Sequence, residues 1–324
     1  MGNTKIKFSQ VHQAVLEAEK RIRSFIRKTP LDFSPVFSKM AGCNVYLKFE
    51  TYQISGSFKF RGAINFISAL SEQDKKNTFV TSSTGNHGAA FCEVMKQVGL
   101  TGRVYMPETA PEYKSKPLHL AGAEVRFHGN DCVLAEIHAR KTAEANNWIY
   151  VPPYNDLNII GGQGTVAVDL LNQLDVFDAV FLPVGGGGLA AGVAGYFHVE
   201  KPSIQIIGCQ PENSPVMARS VEAGRIMEME SNPTLSDATA GGIEDEAITF
   251  PVCQKGIDKF VLVSEDDIRK AIGLMLEHHF HLVEGGAALP LASLLKKKEA
   301  FKNKTVILII TGKRIGLKTL KSII

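Results

Sequence analysis

The sequence predicts an α/β protein built from two doubly wound open sheets. Strand-like and helix-like hydrophobic periods alternate along nearly the whole chain, a pattern that favours parallel sheets covered by helices. Strands after residue 178 are continuous apolar runs, typical of a sheet covered on both faces, whereas earlier strands alternate with polar residues. The two strand types indicate a large domain of residues 1–74 and 151–324 and a smaller inserted domain of residues 75–150. Ligands of such sheets bind at the carboxyl ends of strands, so we expect the site in the cleft between the two domains.

The spacing of hydrophobic residues predicts the first helix and the strands that follow it. Residues 9–26 carry apolar side chains at helical intervals, and "NVYLKFE" (44–50) alternates apolar and polar side chains as a half-buried strand does. Further strands are predicted at 78–83, 102–107 and 123–129, and a helix is predicted after the first of these, ending at Gly99.

The second half of the chain reads as buried strands separated by helices. The apolar runs are "AVFLPV" (179–184), "IQIIGC" (204–209), "FVLV" (260–263) and "TVILII" (305–310). Ser264 and Asp267 form a capping-box pattern that predicts a helix over 265–279.

Composition excludes several classes of protein. The 324 residues include 36 basic and 33 acidic side chains, a balance that argues against a nucleic-acid partner. No apolar run approaches the length of a membrane helix, and the N-terminal residues lack the apolar region of a secretory signal. The five cysteines include no CxxC pair, which favours reduced thiols. We therefore expect a cytoplasmic protein with no membrane partner.

A glycine loop predicts a phosphate site. "FLPVGGGGLAAG" (181–192) follows an apolar strand and opens a predicted helix, so its backbone N–H groups and the helix dipole can hold an anion. Gly185, Gly187 and Ala190 also satisfy the pattern G-x-G-x-x-A, with Glu212 downstream. From this loop alone, a nicotinamide oxidoreductase stays open.

Lys59 lies in an unusual sequence context. "ISGSFKFRGA" (54–63) places Lys59 between Phe58 and Phe60 among small residues. Lysine forms Schiff bases with carbonyl cofactors when its surroundings disfavour the ammonium form. The alternative is that Lys59 is an ordinary surface lysine. "SSTGNHGAA" (82–90) runs from a strand into a helix, so it is either a second anion site or a helix start capped by Ser83 or Thr84.

These three segments, in this order, resemble the fold-type II pyridoxal-phosphate enzymes, whose fold is that of the tryptophan synthase β chain. The likeness is to the serine/threonine dehydratase and serine racemase family and covers nearly the whole chain. It extends to "IIGGQGTVAVDLL" (159–171), "AGGIEDE" (240–246), "LVSEDDI" (262–268) and "VEGGAALPLASLL" (283–295). "STGNHG", "AGGI" and "VEGGAA" are most similar to the hydroxyectoine-utilisation and phenylserine dehydratases. A dinucleotide site explains neither Lys59 nor the second anion loop.

The resemblance implies a role for each matching residue. Lys59 would hold pyridoxal phosphate as a Schiff base and act as the catalytic base, with Thr84 as a second catalytic residue. The implied cofactor-binding residues are Phe58, Lys59, Asn86, Gly185, Gly186, Gly187, Gly188, Leu189, Gly242, Glu284 and Thr311. The implied residues for the substrate carboxylate are Ser83, Thr84, Gly85, Asn86 and His87.

The implied activity is that of a lyase. It would convert L-serine, L-threonine or another 3-hydroxy amino acid to a 2-oxo acid and ammonia. A racemase or a β-replacement enzyme is the alternative on the same scaffold, and a non-catalytic cofactor-binding homologue is a third possibility. The family also implies a homodimer.

Some positions depart from the family pattern. Serine racemases have serine where this chain has Thr84, so we expect dehydration to dominate. The positions of their metal ligands read Gln210, Ser214 and Val216, so no metal is predicted. Lys313 and Arg314 replace glycine and asparagine near the ring, where they either bind a second substrate carboxylate or face solvent.

Overall fold

The computed structural model describes residues 6–323. The expectation that the N-terminal residues lack a secretory signal rests on residues 1–10, of which residues 1–5 lie outside the described residues. Within the described part of the chain, no helix combines the length and the apolar character needed to span a bilayer.

Helices and strands alternate as the sequence predicts. The helices are α1 (Phe8–Ile22), α2 (Pro35–Ala41), α3 (Lys59–Ala69), α4 (Asn86–Val98), α5 (Glu112–Leu120), α6 (Cys132–Ala145), α7 (Leu157–Gln173), α8 (Gly188–Glu200), α9 (Val216–Ala223), α10 (Thr249–Gly256), α11 (Glu265–His279), α12 (Gly285–Lys296) and α13 (Leu317–Lys321). The strands are β1 (Leu31–Phe33), β2 (Asn44–Phe49), β3 (Phe79–Ser82), β4 (Gly102–Met106), β5 (Glu124–Phe127), β6 (Ile149–Tyr150), β7 (Ala179–Pro183), β8 (Gln205–Pro211), β9 (Lys259–Val263) and β10 (Thr305–Ile310).

The strands form two sheets, which confirms the predicted fold class. The larger sheet has the order β1-β2-β10-β7-β8-β9, and all its pairs are parallel except β1 with β2. The smaller sheet has the order β5-β4-β3-β6 and is parallel throughout. Its strands lie between residues 79 and 150. The domain bounds at 74 and 151 stay a prediction.

The continuous apolar runs are explained by two cores on opposite faces of the larger sheet. Along β10, Ile307 and Ile309 pack into the core under α1, α7 and α8, while Val306, Leu308 and Ile310 pack into the core under α11 and α12. Side chains of successive strand residues point to opposite faces. Residues 306–310 therefore all have apolar side chains.

One predicted boundary is wrong. The apolar spacing of residues 9–26 predicts a helix to Ile26, but α1 ends at Ile22. Phe25 and Ile26 pack against the core below the smaller sheet from a turn, so their apolar character reflects burial and not helical structure. By contrast, α11 begins and ends as predicted, and Ser264 and Asp267 form the expected capping box.

Candidate active site

The cavity that contains the predicted site lies where strands from both sheets end. Its walls come from the segments that follow β3, β7 and β10 and from the start of α3. Its volume is about 450 Å³, a size typical of pockets for cofactors and small substrates. The segments selected from the sequence therefore meet at one place.

Nearly all the predicted site residues line this cavity. They are Phe58, Lys59, Ser83, Thr84, Gly85, Asn86, His87, Gly185, Gly186, Gly187, Gly188, Leu189, Glu284 and Thr311. Gly242 is not among the lining residues, and Thr239 and Ala240 contribute to the wall instead. The individual roles of all these residues stay predictions.

Lys59 is the first residue of α3, and the loop before it is held by the end of β10. Phe58 donates its backbone N–H to the carbonyl oxygen of Thr311 over 3.2 Å. The Lys59 ammonium donates to the carbonyl oxygen of Pro153 over 2.7 Å. Desolvation lowers the pKa of Lys59 to about 8, so roughly one amine in ten is neutral at pH 7, against about one in a few thousand for a solvated lysine. Burial therefore increases the neutral fraction of the Lys59 amine.

Behind Lys59, Arg61 anchors the first turn of α3 in a buried ionic network. Its guanidinium donates to both oxygens of Glu50 at 2.8 Å and to Asp169 on α7 at 2.6 Å. Lys48 lies 3.5 Å from the same Asp169 oxygen. Buried charges are tolerated only when they are paired and hydrogen-bonded, and here the pairing fixes α3 against α7. The arginine of "SFKFRGA" therefore holds the lysine two residues before it.

The glycine loop passes between neighbours that leave no room for side chains. A Cβ on Gly186 would lie 2.4 Å from the ring of Tyr154, and one on Gly187 would lie 2.9 Å from Cys253. Gly187 also has φ +90°, a conformation that glycine adopts easily. The helix α8 begins at Gly188, so its N-terminus faces the loop. This arrangement suits an anion held by backbone N–H groups.

The second predicted anion loop begins α4. Asn86 donates from its amide nitrogen to Glu284 over 2.5 Å, whereas its buried Oδ1 atom has no hydrogen-bond partner among the described residues. His87 donates from Nε2 to the carbonyl oxygen of Val151 over 3.0 Å. Desolvation and the charge of Lys59 lower the pKa of His87 to about 3. The histidine is therefore neutral and fixed in orientation.

Glu284 joins this loop to the end of β10. Its second oxygen accepts the backbone N–H of Arg314 over 2.9 Å. Burial, together with the charge of Asp237, raises the pKa of Glu284 to about 7. The carboxyl group is therefore present in both protonation states near neutral pH.

The positions that correspond to racemase metal ligands take structural hydrogen bonds instead. Gln210 donates to the carbonyl oxygen of Val184 and accepts from the backbone N–H of Ala218. Ser214 pairs with Ser231 over 2.7 Å. Between residues 6 and 323, no group of three or more His, Cys, Asp or Glu side chains is placed to hold a metal ion.

Sequence reasoning missed part of the wall. Pro153, Tyr154, Lys114 and Asp237 also line the cavity. The first two follow β6 directly, and the rule that sites lie at strand ends could have identified them. Lys114 and Asp237 lie in helical or irregular segments with no motif, so no local pattern marks them.

The residues present fit pyridoxal phosphate. The glycine loop and the N-terminus of α8 suit its phosphate, and the desolvated amine of Lys59 suits its aldehyde. The unpartnered Oδ1 atom of Asn86 indicates a polar partner that the protein itself does not supply.

Comparison with known proteins gives a family match over most of the chain. The family model described as "Pyridoxal-phosphate dependent enzyme" matches residues 22–312. An L-threonine ammonia-lyase of Thermotoga maritima is 35% identical over 310 residues, which are 96% of this chain and 77% of the relative.

Solved structures agree with this match. The processed form of threonine deaminase isoform 2 from Solanum lycopersicum has a TM-score of 0.92 and 30% identity, covering 98% of this chain and 87% of that one. Maize serine racemase has a TM-score of 0.91 and 29% identity, covering 96% and 95%. The chain therefore belongs to the pyridoxal-phosphate-dependent enzymes of fold type II, in the family of serine/threonine dehydratases and serine racemases.

Proposed function

We propose that this protein is a pyridoxal-phosphate-dependent dehydratase that converts a 3-hydroxy amino acid, such as L-serine or L-threonine, to a 2-oxo acid and ammonia. The observation that carries the proposal is that Lys59 and both anion-binding loops share one cavity. The threonine ammonia-lyase and threonine deaminase relatives support this reaction class.

The residues of the cavity divide between cofactor and substrate. Residues 185–189 would bind the cofactor phosphate, Phe58 would pack against its ring, and Lys59 would attach to its aldehyde. Backbone N–H groups of residues 83–87 would bind the substrate carboxylate, because they precede the first turn of α4. Asn86 would bind both groups, since its Oδ1 atom is not used by the protein.

The bound cofactor supplies an electron sink that makes the Cα proton of the amino acid acidic. Lys59 would take that proton, because a pKa of about 8 lets the amine both accept and release a proton near neutral pH. Thr311 presents a hydroxyl group, not a carboxylate, at the end of β10. A hydroxyl does not hold a proton on a ring nitrogen, so the ring would withdraw negative charge from Cα less strongly. That favours departure of the Cβ hydroxyl over racemisation.

The reaction balances without an oxidant. The Cα proton and the Cβ hydroxyl leave as water, and the resulting enamine rearranges to an imine. One water molecule then hydrolyses the imine to the 2-oxo acid and ammonia. Serine gives pyruvate and threonine gives 2-oxobutyrate.

The test is a substrate panel with the purified holoenzyme. We expect 2-oxo acid and ammonia in equal amounts from at least one L-3-hydroxy amino acid. The rate of their release should exceed the rate at which the D-enantiomer of the substrate appears. Thr84 adds a methyl group where serine racemases have serine, which opposes proton exchange on the second face. Racemisation that equals or exceeds elimination would contradict the proposal, as would the absence of product despite a cofactor absorption band.

We further propose that the enzyme acts in the cytoplasm as a homodimer. All five cysteines are free thiols, which suits a reducing compartment, and dimers are common in the family. A solution mass equal to that of one 35.3 kDa chain would contradict the dimer.

A further inference from the structure

The cavity contains three cationic side chains, which differ in how they are paired. Lys59 is assigned to the cofactor. Lys114 donates to Asp237 over 3.1 Å, so its charge is neutralised within the protein. The third is Arg314, which follows β10 and lines the cavity. Among residues 6–323, its guanidinium has no carboxylate oxygen within 4.0 Å.

Arg314 is linked through Glu284 to the start of α4. Its backbone N–H donates to Glu284, whose other oxygen accepts from Asn86. Arg314 lines the same cavity as residues 83–87, which include the first two residues of α4. Arg314 therefore borders the same space as the residues assigned to the substrate carboxylate.

Glu284 is a poor partner for this guanidinium. Both of its oxygens already accept hydrogen bonds, from Asn86 and from the Arg314 backbone. Arg314 is an exposed residue at the cavity, although partial desolvation still lowers the pKa of its guanidinium. A cation of this kind gains more from an added anion than a fully solvated cation does.

We infer that Arg314 binds a second carboxylate, carried on Cβ of the substrate, so that the preferred substrates are 3-hydroxy dicarboxylic amino acids such as 3-hydroxyaspartate. The inference rests on the proposed dehydratase function. The planar guanidinium matches a carboxylate with two parallel hydrogen bonds. Serine and threonine have no second anion and would leave this charge unpaired.

The neighbouring cation gives the matched control. Lys313 is exposed, and its ammonium lies 5.8 Å from the centre of the Tyr52 ring. Lys313 is not among the residues that line the cavity. Both residues are exposed, and of the two only Arg314 lines the cavity.

The reaction on 3-hydroxyaspartate balances in the same way as the reaction on serine. 3-Hydroxyaspartate loses its Cα proton and Cβ hydroxyl as water, and hydrolysis of the resulting imine releases ammonia and oxaloacetate. No redox partner is required.

The experiment compares holoenzyme variants on 3-hydroxyaspartate and L-serine. Wild type should show a higher kcat/KM for one 3-hydroxyaspartate isomer than for L-serine. Arg314→Gln should lower that value about 100-fold, as expected for loss of a bidentate charged contact, with a much smaller loss on L-serine. Arg314→Lys should recover part of the loss, and Lys313→Gln should change neither value by more than about twofold.

A binding measurement separates recognition from catalysis. L-Aspartate and L-alanine carry no hydroxyl to eliminate, so their binding can be followed by the absorption of the bound cofactor. Wild type should bind L-aspartate more tightly than L-alanine, and Arg314→Gln should abolish the difference. Equal losses on both hydroxy amino acids, or no preference for L-aspartate, would overturn the inference while leaving the dehydratase function intact. Failure of every hydroxy amino acid to react would instead overturn the proposed function.

Discussion

Replacing Lys59 with alanine should lower kcat for elimination by about 1,000-fold or more, because the substitution removes both the amine that attaches the cofactor and the base that takes the Cα proton. General base catalysis alone accounts for about 10² to 10⁴-fold. Initial rates of 2-oxo acid release, measured with saturating pyridoxal phosphate, give the value directly.

Two controls distinguish a loss of catalysis from a loss of folding. Lys59→Arg keeps a cation next to the Pro153 carbonyl oxygen, which Lys59 contacts at 2.7 Å, but guanidinium stays protonated and should be equally inactive. Thermal unfolding of Lys59→Ala should stay close to wild type, since the lysine makes one hydrogen bond. An alanine variant that keeps more than about a tenth of wild-type kcat would contradict both assigned roles.

Replacing Arg61 with alanine should reduce the free energy of unfolding by about 3–5 kcal/mol, the range for removing one partner of a buried ion pair. The guanidinium is fully buried and bridges Glu50 and Asp169. Without it, the buried Glu50 loses its ion-pair partner, while Asp169 keeps only Arg23 at 2.8 Å and Lys48 at 3.5 Å. The urea midpoint of the cofactor-saturated protein measures the effect.

A surface arginine provides the matched comparison. Arg219 pairs with Glu222 in the next turn of α9, and both side chains are exposed. Arg219→Ala should cost less than about 1 kcal/mol, as surface pairs do. If the two substitutions gave similar midpoints, the network behind Lys59 would not stabilise the fold as described.

The fold was largely predictable because its signals are local. Continuous apolar runs identified β7 to β10, and the capping box at Ser264 marked the start of α11, whose predicted range of 265–279 is the observed one. Where apolar residues pack from a turn, as Phe25 and Ile26 do, hydrophobic spacing alone extended the helix too far.

The site was predictable where chemistry requires particular residues beside a strand end. Lys59, the glycine loop and the loop before α4 satisfied that condition, and all three line one cavity. Contacts between distant segments were not predictable. The pairing of Asn86 with Glu284, 198 positions apart, and that of Lys114 with Asp237 depend on how the two sheets pack. The spacing of residues along the sequence does not indicate that packing.

The most direct test of the mechanism is to locate the covalent attachment of pyridoxal phosphate. The holoenzyme is reduced with borohydride, digested, and its peptides are mapped by mass spectrometry. We expect one phosphopyridoxyl group per chain, on Lys59 of the peptide that contains "SGSFKFRGA". A cofactor-saturated protein in which Lys59 stays unmodified, or in which another lysine carries the group, would contradict the account.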